Sequence, residues 1–420
     1  MPATANSCLV LFGASLACAA SVLAQQSSPP LKLGVETRLV LVDFVVLDKS
    51  DHAVSGLKQG DFVVKEDGKE RPIISFAAFL GGEPDVAATT DAPGQTAPSA
   101  AAATEHVGAS TVLFVDDSQL TPQDAARLLP ALKKLVDVIA AREGILALVA
   151  PGSDVGLVDE PAKNRAGFRA AIDQIVGRRV PDRSDLPVSD AEAILADQGD
   201  DTIIDRLASR YIYLNPSANS GQNQIYRFAM AQGMAKARAT EVAIAARARR
   251  EGVYRLLRGS LNWLSGRPGR RSIVMVSSGY ATDKEDRNMR EIVNASLRAN
   301  APIHFLDARG LQGMSRFLGA EYREALEHDG MEATLAFSEE SAGAAGLAAD
   351  TGGLYIRNTN DMDKGLSRIV DMTATYYVLG YEPPENPGKP GFRKIKVEIA
   401  KKDLKVTARR GYFDSGTPPR

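Results

Sequence analysis

Thr111-Val-Leu-Phe-Val-Asp-Asp-Ser-Gln-Leu-Thr121 is the stretch of this chain from which the fold can be worked out. Its first five residues, 111–115, form an uninterrupted β-prone run, which is typical of a central strand in a parallel sheet covered on both faces. Two carboxylates and a hydroxyl follow at once: Asp116, Asp117 and Ser118. Because ligands of open α/β sheets bind outside the carboxyl ends of the strands, these are the first candidate binding residues. Thr121 and Pro122 then predict the start of a helix.

The chain beyond this stretch alternates between predicted strands and helices, as expected for a doubly wound sheet. We predict strands at 145–150, 155–158, 272–276, 303–306 and 354–357, and helices at 123–141, 165–176, 287–299 and 361–372. The tight turn before residues 155–158 makes that strand antiparallel and places it at an edge of the sheet. The predicted fold class is therefore α/β, with a doubly wound, mostly parallel, Rossmann-like sheet over residues 110–372.

Residues 180–260 interrupt this alternation and are predicted to form a helical insertion. Its last part, residues 225–264, has a long helical pattern rich in alanine. That pattern also carries a set of basic residues, Lys236, Arg238, Arg247, Arg249 and Arg250. Since Glu241 and Glu251 are interleaved with them, we interpret the set as a solvated helix face rather than as a phosphate or membrane site.

Two β-rich segments flank the α/β region, at residues 33–80 and 373–415. The first contains Asp67-Gly68, a strong hairpin signal between strands predicted at 61–66 and 71–79. Each segment is too small to be stable alone, and an inserted domain brings its own two ends close together. We therefore expect the two segments to form a flanking β-sandwich. Residues 81–109, rich in Ala, Pro, Thr and Gly, are predicted to be a flexible linker.

The N-terminal residues 1–24 have the pattern of a signal peptide, with an apolar stretch followed by Val-Leu-Ala before Gln25. The alternative is a retained membrane anchor, although the apolar stretch is shorter than a bilayer span. Both cysteines, Cys8 and Cys18, lie in this segment, so a processed chain would have no thiol chemistry. We expect an exported protein that is periplasmic, surface-located or secreted, with membrane contact only if the leader is retained.

Composition and motifs bear on the class of function. The 420 residues carry a formal net charge of -2, so nucleic acid is not expected as a partner. The sequence contains no Gly-x-Ser-x-Gly, Walker or His-Glu-x-x-His motif, and its four histidines are scattered. We predict that the protein is not an enzyme. A hydrolase using Ser277 or Ser278 stays as a minor alternative, without an identifiable histidine partner.

The order strand, Asp-x-Ser, helix, with an antiparallel edge strand and a later strand that ends in Ser277-Ser278-Gly279, resembles the von Willebrand factor type A domain. The resemblance covers about residues 110–372. The flanks are similar to the von Willebrand factor A-related proteins of acidobacteria, through motifs that are distinctive together. These motifs are Leu41-Val-Asp-Phe-Val-Val46, Gly56-Leu57 with Asp61-Phe62, Glu66-Asp67-Gly68, Thr351-Gly352-Gly353 and Arg409-Arg-Gly-Tyr-Phe413.

This resemblance implies a metal-ion-dependent adhesion site, whose pattern is Asp-x-Ser-x-Ser, a threonine in a second loop and an aspartate in a third. Asp116 and Ser118 match the first two positions, and Ser189 matches the threonine through its hydroxyl. Leu120 replaces the second serine, and Ser278 stands where the aspartate belongs. The implied site is degenerate, with Mg²⁺ as the expected cation and Asp116, Ser118 and Ser189 as ligands.

Two outcomes stay open for this degenerate site. Asp117 compensates for the lost carboxylate if the loop presents it inward. Alternatively the site is vestigial, and Asp116 and Ser118 only cap the helix that follows.

The expected function is a non-enzymatic binding or adhesion module that recognises a protein or peptide. The expected surface is the rim, meaning the edge formed by the carboxyl ends of the parallel strands together with the loops that follow them. Its predicted ligand-binding residues are Asp116, Asp117, Ser118, Ser189 and Ser278. The alternative is a structural or assembly component of the cell envelope that makes its contacts through the helical insertion and the β-sandwich.

Overall fold

The computed structural model of the chain describes residues 39–50, 52–80, 83–84, 109–142, 144–180, 182–216, 223–267, 269–279, 281–282, 286–310, 330–384 and 391–414. The predicted signal peptide at 1–24 and most of the predicted linker at 81–109 lie outside these residues. Among the helices that are described, none combines the length and the apolar character that crossing a membrane requires.

In chain order, the strands are β1 (Val40–Leu47), β2 (Phe62–Glu66), β3 (Lys69–Arg71), β4 (Ile73–Leu80), β5 (Glu83–Pro84), β6 (Ser110–Val115), β7 (Ile145–Ala150), β8 (Val155–Asp159), β9 (Arg271–Ser277), β10 (Ile303–Asp307), β11 (Tyr355–Ile356), β12 (Tyr376–Tyr381), β13 (Gly391–Ile399), β14 (Lys405–Ala408) and β15 (Gly411–Asp414). The helices are α1 (Pro122–Ala140), α2 (Arg165–Asp173), α3 (Asp190–Asp197), α4 (Asp201–Leu214), α5 (Gln224–Ser265), α6 (Arg287–Ala299), α7 (Gly330–Thr351) and α8 (Met362–Ala374).

A six-stranded sheet in the order β11-β10-β9-β6-β7-β8 forms the α/β part of the molecule. Neighbouring strands are parallel except for β7 and β8, which are antiparallel, so the predicted edge strand is confirmed. All six residues of β6 are buried, as the apolar run in the sequence predicts. Thr121 caps α1 by accepting a hydrogen bond from the backbone N–H of Asp124, which confirms the predicted helix start.

Helices cover both faces of this sheet. Leu113 and Val115 of β6 belong to one hydrophobic cluster, together with residues of α1, α2 and α8. Val112 and Phe114 point to the other face and pack with residues of α5, α6 and α7. The alternation along β6 follows from the two-residue period of a strand. The molecule is thus a mixed α/β protein with a mostly parallel central sheet.

The flanking β segments pair with each other across the whole length of the chain. A five-stranded sheet has the order β14-β1-β12-β4-β5, and a four-stranded sheet has the order β15-β13-β2-β3. Both sheets contribute to one hydrophobic cluster, in which the ring of Phe62 on β2 contacts Phe44 and Phe76 of the larger sheet at centroid distances of 4.9 and 5.6 Å. Strands from the beginning and the end of the chain therefore share one core.

The hairpin predicted at Asp67-Gly68 is present, with both residues at positive φ (49° and 81°). The return strand predicted at 71–79 is instead divided at Pro72 into β3 and β4, which belong to different sheets. Proline lacks the N–H that a continuous ladder needs, so the chain leaves one sheet and enters the other there.

Helix α5 is one continuous helix of 42 residues. A stripe of alanines in its first half packs with residues of α3 and α4; these are Ala231, Ala235, Ala239, Ala243 and Ala246. Its last turns, with Leu257 and Leu261, pack on the central sheet. The boundary at residue 260 that we predicted for the insertion thus falls inside an unbroken helix.

The Thr351-Gly352-Gly353 motif joins α7 to β11. Gly352 has a φ of 78°, a conformation that favours glycine. A Cβ added to Gly353 would overlap the carbonyl oxygen of Ile303 in β10. The hydroxyl of Thr351 accepts a hydrogen bond from the N–H of Ile303, at 3.1 Å. The motif therefore lets the chain pass close to the start of β10.

Candidate functional site

Asp116 follows β6 directly and lies at the centre of the rim. Its backbone N–H donates to the carbonyl of Val276, which continues the pairing of β6 with β9. The side chain is fully buried, and both of its oxygens accept hydrogen bonds from serine hydroxyls. Ser118 Oγ donates to Oδ1 at 2.6 Å, and Ser277 Oγ donates to Oδ2 at 2.9 Å. The carboxylate is therefore held in place from two strand ends.

The environment of Asp116 disfavours its charged form. Burial raises the pKa of this carboxyl from 3.8 to about 6, although the two serine hydroxyls oppose the change. The neighbouring charge of Asp117 raises the pKa further, and the guanidinium of Arg179 lowers it. Close to neutral pH the site thus holds a desolvated carboxylate that a positive charge would stabilise.

Asp117 supplies a second buried carboxyl group beside the first. Its Oδ1 accepts a hydrogen bond from the N–H of Gly152 at 2.7 Å, and a Cβ at Gly152 would crowd that oxygen. Its Oδ2 is buried and has no hydrogen-bond partner among the described residues. Buried polar oxygens are normally paired, so this one is suited to a further ligand. The residues present therefore fit a hard cation in part.

Ser189 is not part of this group of side chains. Its hydroxyl caps α3: it accepts from the N–H of Glu192 at 3.3 Å and donates to Glu192 Oε2 at 2.8 Å. Glu192 in turn is paired with the guanidinium of Arg210 at 2.7 Å, and both side chains are buried. The Ser189 hydroxyl thus serves the helix N-terminus, and within the described residues no contact joins it to Asp116.

The end of β9 contributes Ser277 rather than Ser278. Ser278 is buried, but no hydrogen bond of its side chain is found within the described residues. The register explains the choice: Val115 pairs with Val276, so Asp116 and Ser277 come next on the two strands. From the sequence alone, Ser277 is a candidate only as a nucleophile. The register of β6 and β9 is the signal that identifies it as a partner of Asp116.

The chain itself covers much of the rim. The N–H groups of Arg178 and Arg179 donate to the carbonyls of Asp117 and Leu120, both at 2.9 Å. Asp190, at the start of α3, accepts hydrogen bonds from Arg179 and from Arg249 of α5. Burial raises the pKa of Asp190, but these two guanidinium groups outweigh it and leave the pKa below its ordinary value. These ion pairs thus hold the start of α3, in the insertion, close to the segment that follows α2.

Exposure differs among the five predicted ligand-binding residues. Asp116, Asp117, Ser189 and Ser278 are all buried, whereas Ser118 is half-buried. Among these five residues, Ser118 is therefore the most accessible to solvent.

A second buried ion pair occupies the end of β10. Asp307 accepts hydrogen bonds from Nε and Nη2 of Arg309, at 2.9 and 2.6 Å, and Arg309 Nη2 also donates to Ser341. Tyr355 donates its hydroxyl to Asp307 at 3.3 Å. Because the carboxylate is already neutralised by a buried guanidinium, Asp307 serves the structure of the rim rather than a ligand.

The described part of the chain contains no group of three or more His, Cys, Asp or Glu side chains that could hold a metal ion. His304 is buried in β10, where its Nδ1 accepts from the N–H of Leu354 at 3.1 Å. Burial, with a smaller contribution from Arg270, lowers the pKa of His304 to about 3. It pairs in the sheet with Val274 rather than with Ser277, so it does not form a nucleophile–base pair with that serine.

Comparison with known proteins gives no family assignment. No family model matches the chain. No curated protein matches it either.

Solved structures similar to this chain include proximal thread matrix protein 1 from the mussel byssus, at 10% identity and a TM-score of 0.27, covering 64% of this chain and 48% of that one. The N-terminal domain of TFIIH p34 has 11% identity and a TM-score of 0.26, covering 63% and 98%. The pilus adhesin SpaC of Lactobacillus rhamnosus GG has 7% identity and a TM-score of 0.26, covering 73% and 43%. The chain spans about half the length of the first of these. Similarity at this level carries no argument about function.

Proposed function

We propose that this protein is an exported, non-enzymatic binding module that recognises a protein or peptide at its rim. We further propose a doubly wound fold like that of the von Willebrand factor type A domain, with a flanking β-sandwich built from the two terminal segments. The observation that carries the proposal is the buried Asp116 carboxylate, whose two oxygens are held by Ser118 and Ser277. Carboxylate and hydroxyl oxygens at strand ends are ligands suited to Mg²⁺.

The proposed ligand set differs from the one that the sequence motif implied. Asp116, Ser118 and Ser277 replace Asp116, Ser118 and Ser189, since only the former three are in contact. Asp117, with its unpaired buried oxygen, supplies a second negative charge. A bound Mg²⁺ would supply positive charge to both carboxylates and an open coordination position for an acidic group of a partner. Ser118, the half-buried member, marks the side from which that group approaches.

Isothermal titration calorimetry with Mg²⁺, Mn²⁺ and Ca²⁺ tests the proposal. We expect saturable binding that is lost in Asp116→Asn and weakened in Ser277→Ala. Ser278→Ala is the matched control, because it removes the neighbouring buried hydroxyl that does not contact Asp116. Absence of cation binding by the unmodified protein, or equal losses in the two serine variants, would contradict the proposed site.

A second candidate is a structural or assembly role for the insertion. One observation favours it: Tyr226, Met230 and Met234 form an apolar stripe on α5 and are 56%, 50% and 49% exposed. Residues four apart lie on one helix face, so the stripe is continuous. We expect Met230→Lys with Met234→Lys to abolish self-association in analytical ultracentrifugation if this role holds. Val158→Lys, at an exposed apolar position on β8, is the control. A purely monomeric unmodified protein would exclude assembly through self-association.

A further inference from the structure

A cavity of about 890 Å³ lies between the four-stranded sheet and helix α6. Its size is within the range of typical ligand pockets. None of the residues assigned to the rim site lines it. It is therefore a separate feature of the molecule that the proposed rim function does not use.

The sheet side of the cavity is strongly basic. Phe392, Lys394 and Lys396 alternate along β13, so they share the exposed face of that strand. Lys65 of β2 is directly opposite Lys396 in the antiparallel register. Arg410 adds a further cation from the segment before β15. The ring of Phe392 therefore lies at one end of this basic face.

The helix side of the cavity combines apolar and basic groups. Met289 and Val293 are one turn apart on α6, so both lie on the same face of the helix. Arg290 adds a guanidinium to this side. A ligand that fills the cavity would therefore contact apolar side chains on the helix side, and positively charged side chains on both the helix side and the sheet side.

The acidic groups near the cavity are already paired. Glu398 bridges Lys65 and Lys396 at 2.6 and 2.7 Å, and Asp350 is 3.4 Å from Arg410. Asp286 caps α6, accepts a hydrogen bond from the hydroxyl of Tyr254 and forms an ion pair with Arg250 at 3.3 Å.

Two lining cations are left over after this pairing. The side chains of Lys394 and Arg290 make no hydrogen bond or ion pair with any described residue. In a chain whose net charge is -2, this is a local excess of positive charge.

We propose that this cavity binds an acidic peptide segment that carries one apolar anchor side chain. Lys394 and Arg290, whose side chains pair with no described residue, select carboxylates. Electrostatic complementarity of this kind favours both association and specificity. The apolar side chain would pack between Phe392 and the Met289–Val293 face, where buried hydrocarbon adds affinity. The proposal is independent of any cation at the rim, because no residue of that site lines the cavity.

Fluorescence anisotropy tests the proposal, with a fluorescein-labelled peptide of Asp and Glu residues around one central Phe as the probe. We expect Lys394→Glu and Arg290→Glu each to weaken binding about tenfold, as expected for reversal of a charge that pairs with a ligand. Lys402→Glu is the matched control, since it reverses an exposed lysine outside the cavity and should change affinity less than about twofold. A peptide with Ser in place of Phe should also bind about tenfold more weakly, because the apolar contact is lost.

Four outcomes would overturn the proposal. They are no binding of the probe, an equal loss in Lys402→Glu, equal affinity for the peptide without Phe, and tighter binding of a labelled single-stranded oligonucleotide. Circular dichroism of each variant confirms that the fold is retained. Because the titration is run in EDTA, a failure of cation binding at the rim does not affect the result.

Discussion

The carboxylate of Asp43 on β1 accepts a hydrogen bond from Nη1 of Arg270, the residue that precedes β9. Both side chains are nearly buried, at 11% and 8% exposure. Asn300 donates to the same oxygen at 3.0 Å, and the guanidinium lies 4.0 Å from the ring centroid of Tyr376. Asp43 is the one polar residue within the apolar run of β1, and this pair joins the flanking sheet to the central sheet.

Asp43→Ala should strongly destabilise the protein. Removing one partner leaves a buried guanidinium without its counter-charge, which costs about 3–5 kcal/mol. Asp403→Ala is the control, because its ion pair with Lys49 is more than 70% exposed and contributes less than about 1 kcal/mol. Urea denaturation measures the free energy of unfolding of both single variants. The double variant Asp43→Ala/Arg270→Met should be more stable than Asp43→Ala alone, because it no longer buries an unpaired guanidinium. Equal effects of the two single variants would mean that the pair does not hold the sheets together.

Asp116→Asn should stabilise the protein at neutral pH in the absence of metal ions. The pKa of Asp116 is raised to about 6, so the folded state holds its proton more tightly than the unfolded state. Stability is then lost as pH rises from about 4 to 6, by up to roughly 3 kcal/mol at about 1.4 kcal/mol per unit. We expect the variant to be more stable than the unmodified protein at pH 7.5 and equal to it below about pH 4.

Urea denaturation in EDTA at several pH values measures this difference. Asp159→Asn serves as a control of opposite sign, because a hydrogen bond from Asn164 lowers the pKa of Asp159. That variant should lose stability at neutral pH and converge with the unmodified protein in acid. If Asp116→Asn were instead less stable than the unmodified protein at pH 7.5, the ionised Asp116 carboxylate would not be destabilising the metal-free folded protein.

Ser189→Ala should affect stability without affecting cation binding. The substitution removes the cap of α3, which costs about 1–2 kcal/mol. It also removes one hydrogen bond from the buried Glu192. Calorimetry with Mg²⁺ should give the affinity of the unmodified protein, whereas Ser277→Ala should weaken cation binding. Loss of cation affinity in Ser189→Ala would restore the ligand set implied by the sequence motif.

Gly353→Ala should be destabilising because the new methyl group would overlap the carbonyl of Ile303. Overpacking against backbone costs about 1–3 kcal/mol. Gly233→Ala is the matched control: it lies on the exposed side of α5, and its Cβ would meet nothing within 4 Å. There the substitution should stabilise by about 0.5–1 kcal/mol. Thermal denaturation distinguishes the two, and a neutral Gly353→Ala would mean that β10 and β11 can separate.

Periodicity made the elements of the central sheet predictable. The run at residues 112–115 is entirely apolar. The helix predicted at 287–299 agrees with α6, which Asp286 caps and which Asn300 ends in the left-handed conformation. These signals are local, because caps and apolar spacing act within one turn or one strand. The strands of the flanking sheets were harder to predict. The chain passes from one sheet to the other at Pro72, so that β3 and β4 belong to different sheets.

The site was less predictable because its contacts are long-range. Ser277 and Asp116 are 161 residues apart, and only strand register decides that Ser277 rather than Ser278 meets the carboxylate. The interpretation of the basic set on α5 as a solvated face holds for the exposed Lys236 but is wrong for the arginines. Arg238, Arg247 and Arg249 instead pair with Asp182, Asp197 and Asp190, and Arg250 is buried against Asp286. No spacing within α5 identifies partners that lie in another segment.

The placement of β1 between β12 and β14 has a kinetic consequence. Both neighbours of this strand follow it only after the whole α/β region, so β1 has no partner strand while that region is being synthesised. Long-range pairing of this kind slows folding, because a large loop must close before any contact forms. The central sheet can assemble first, and β1 pairs only after β12 and β14 have been synthesised. A nascent chain halted before residue 376 would therefore expose an apolar strand with two open edges, a form prone to aggregation.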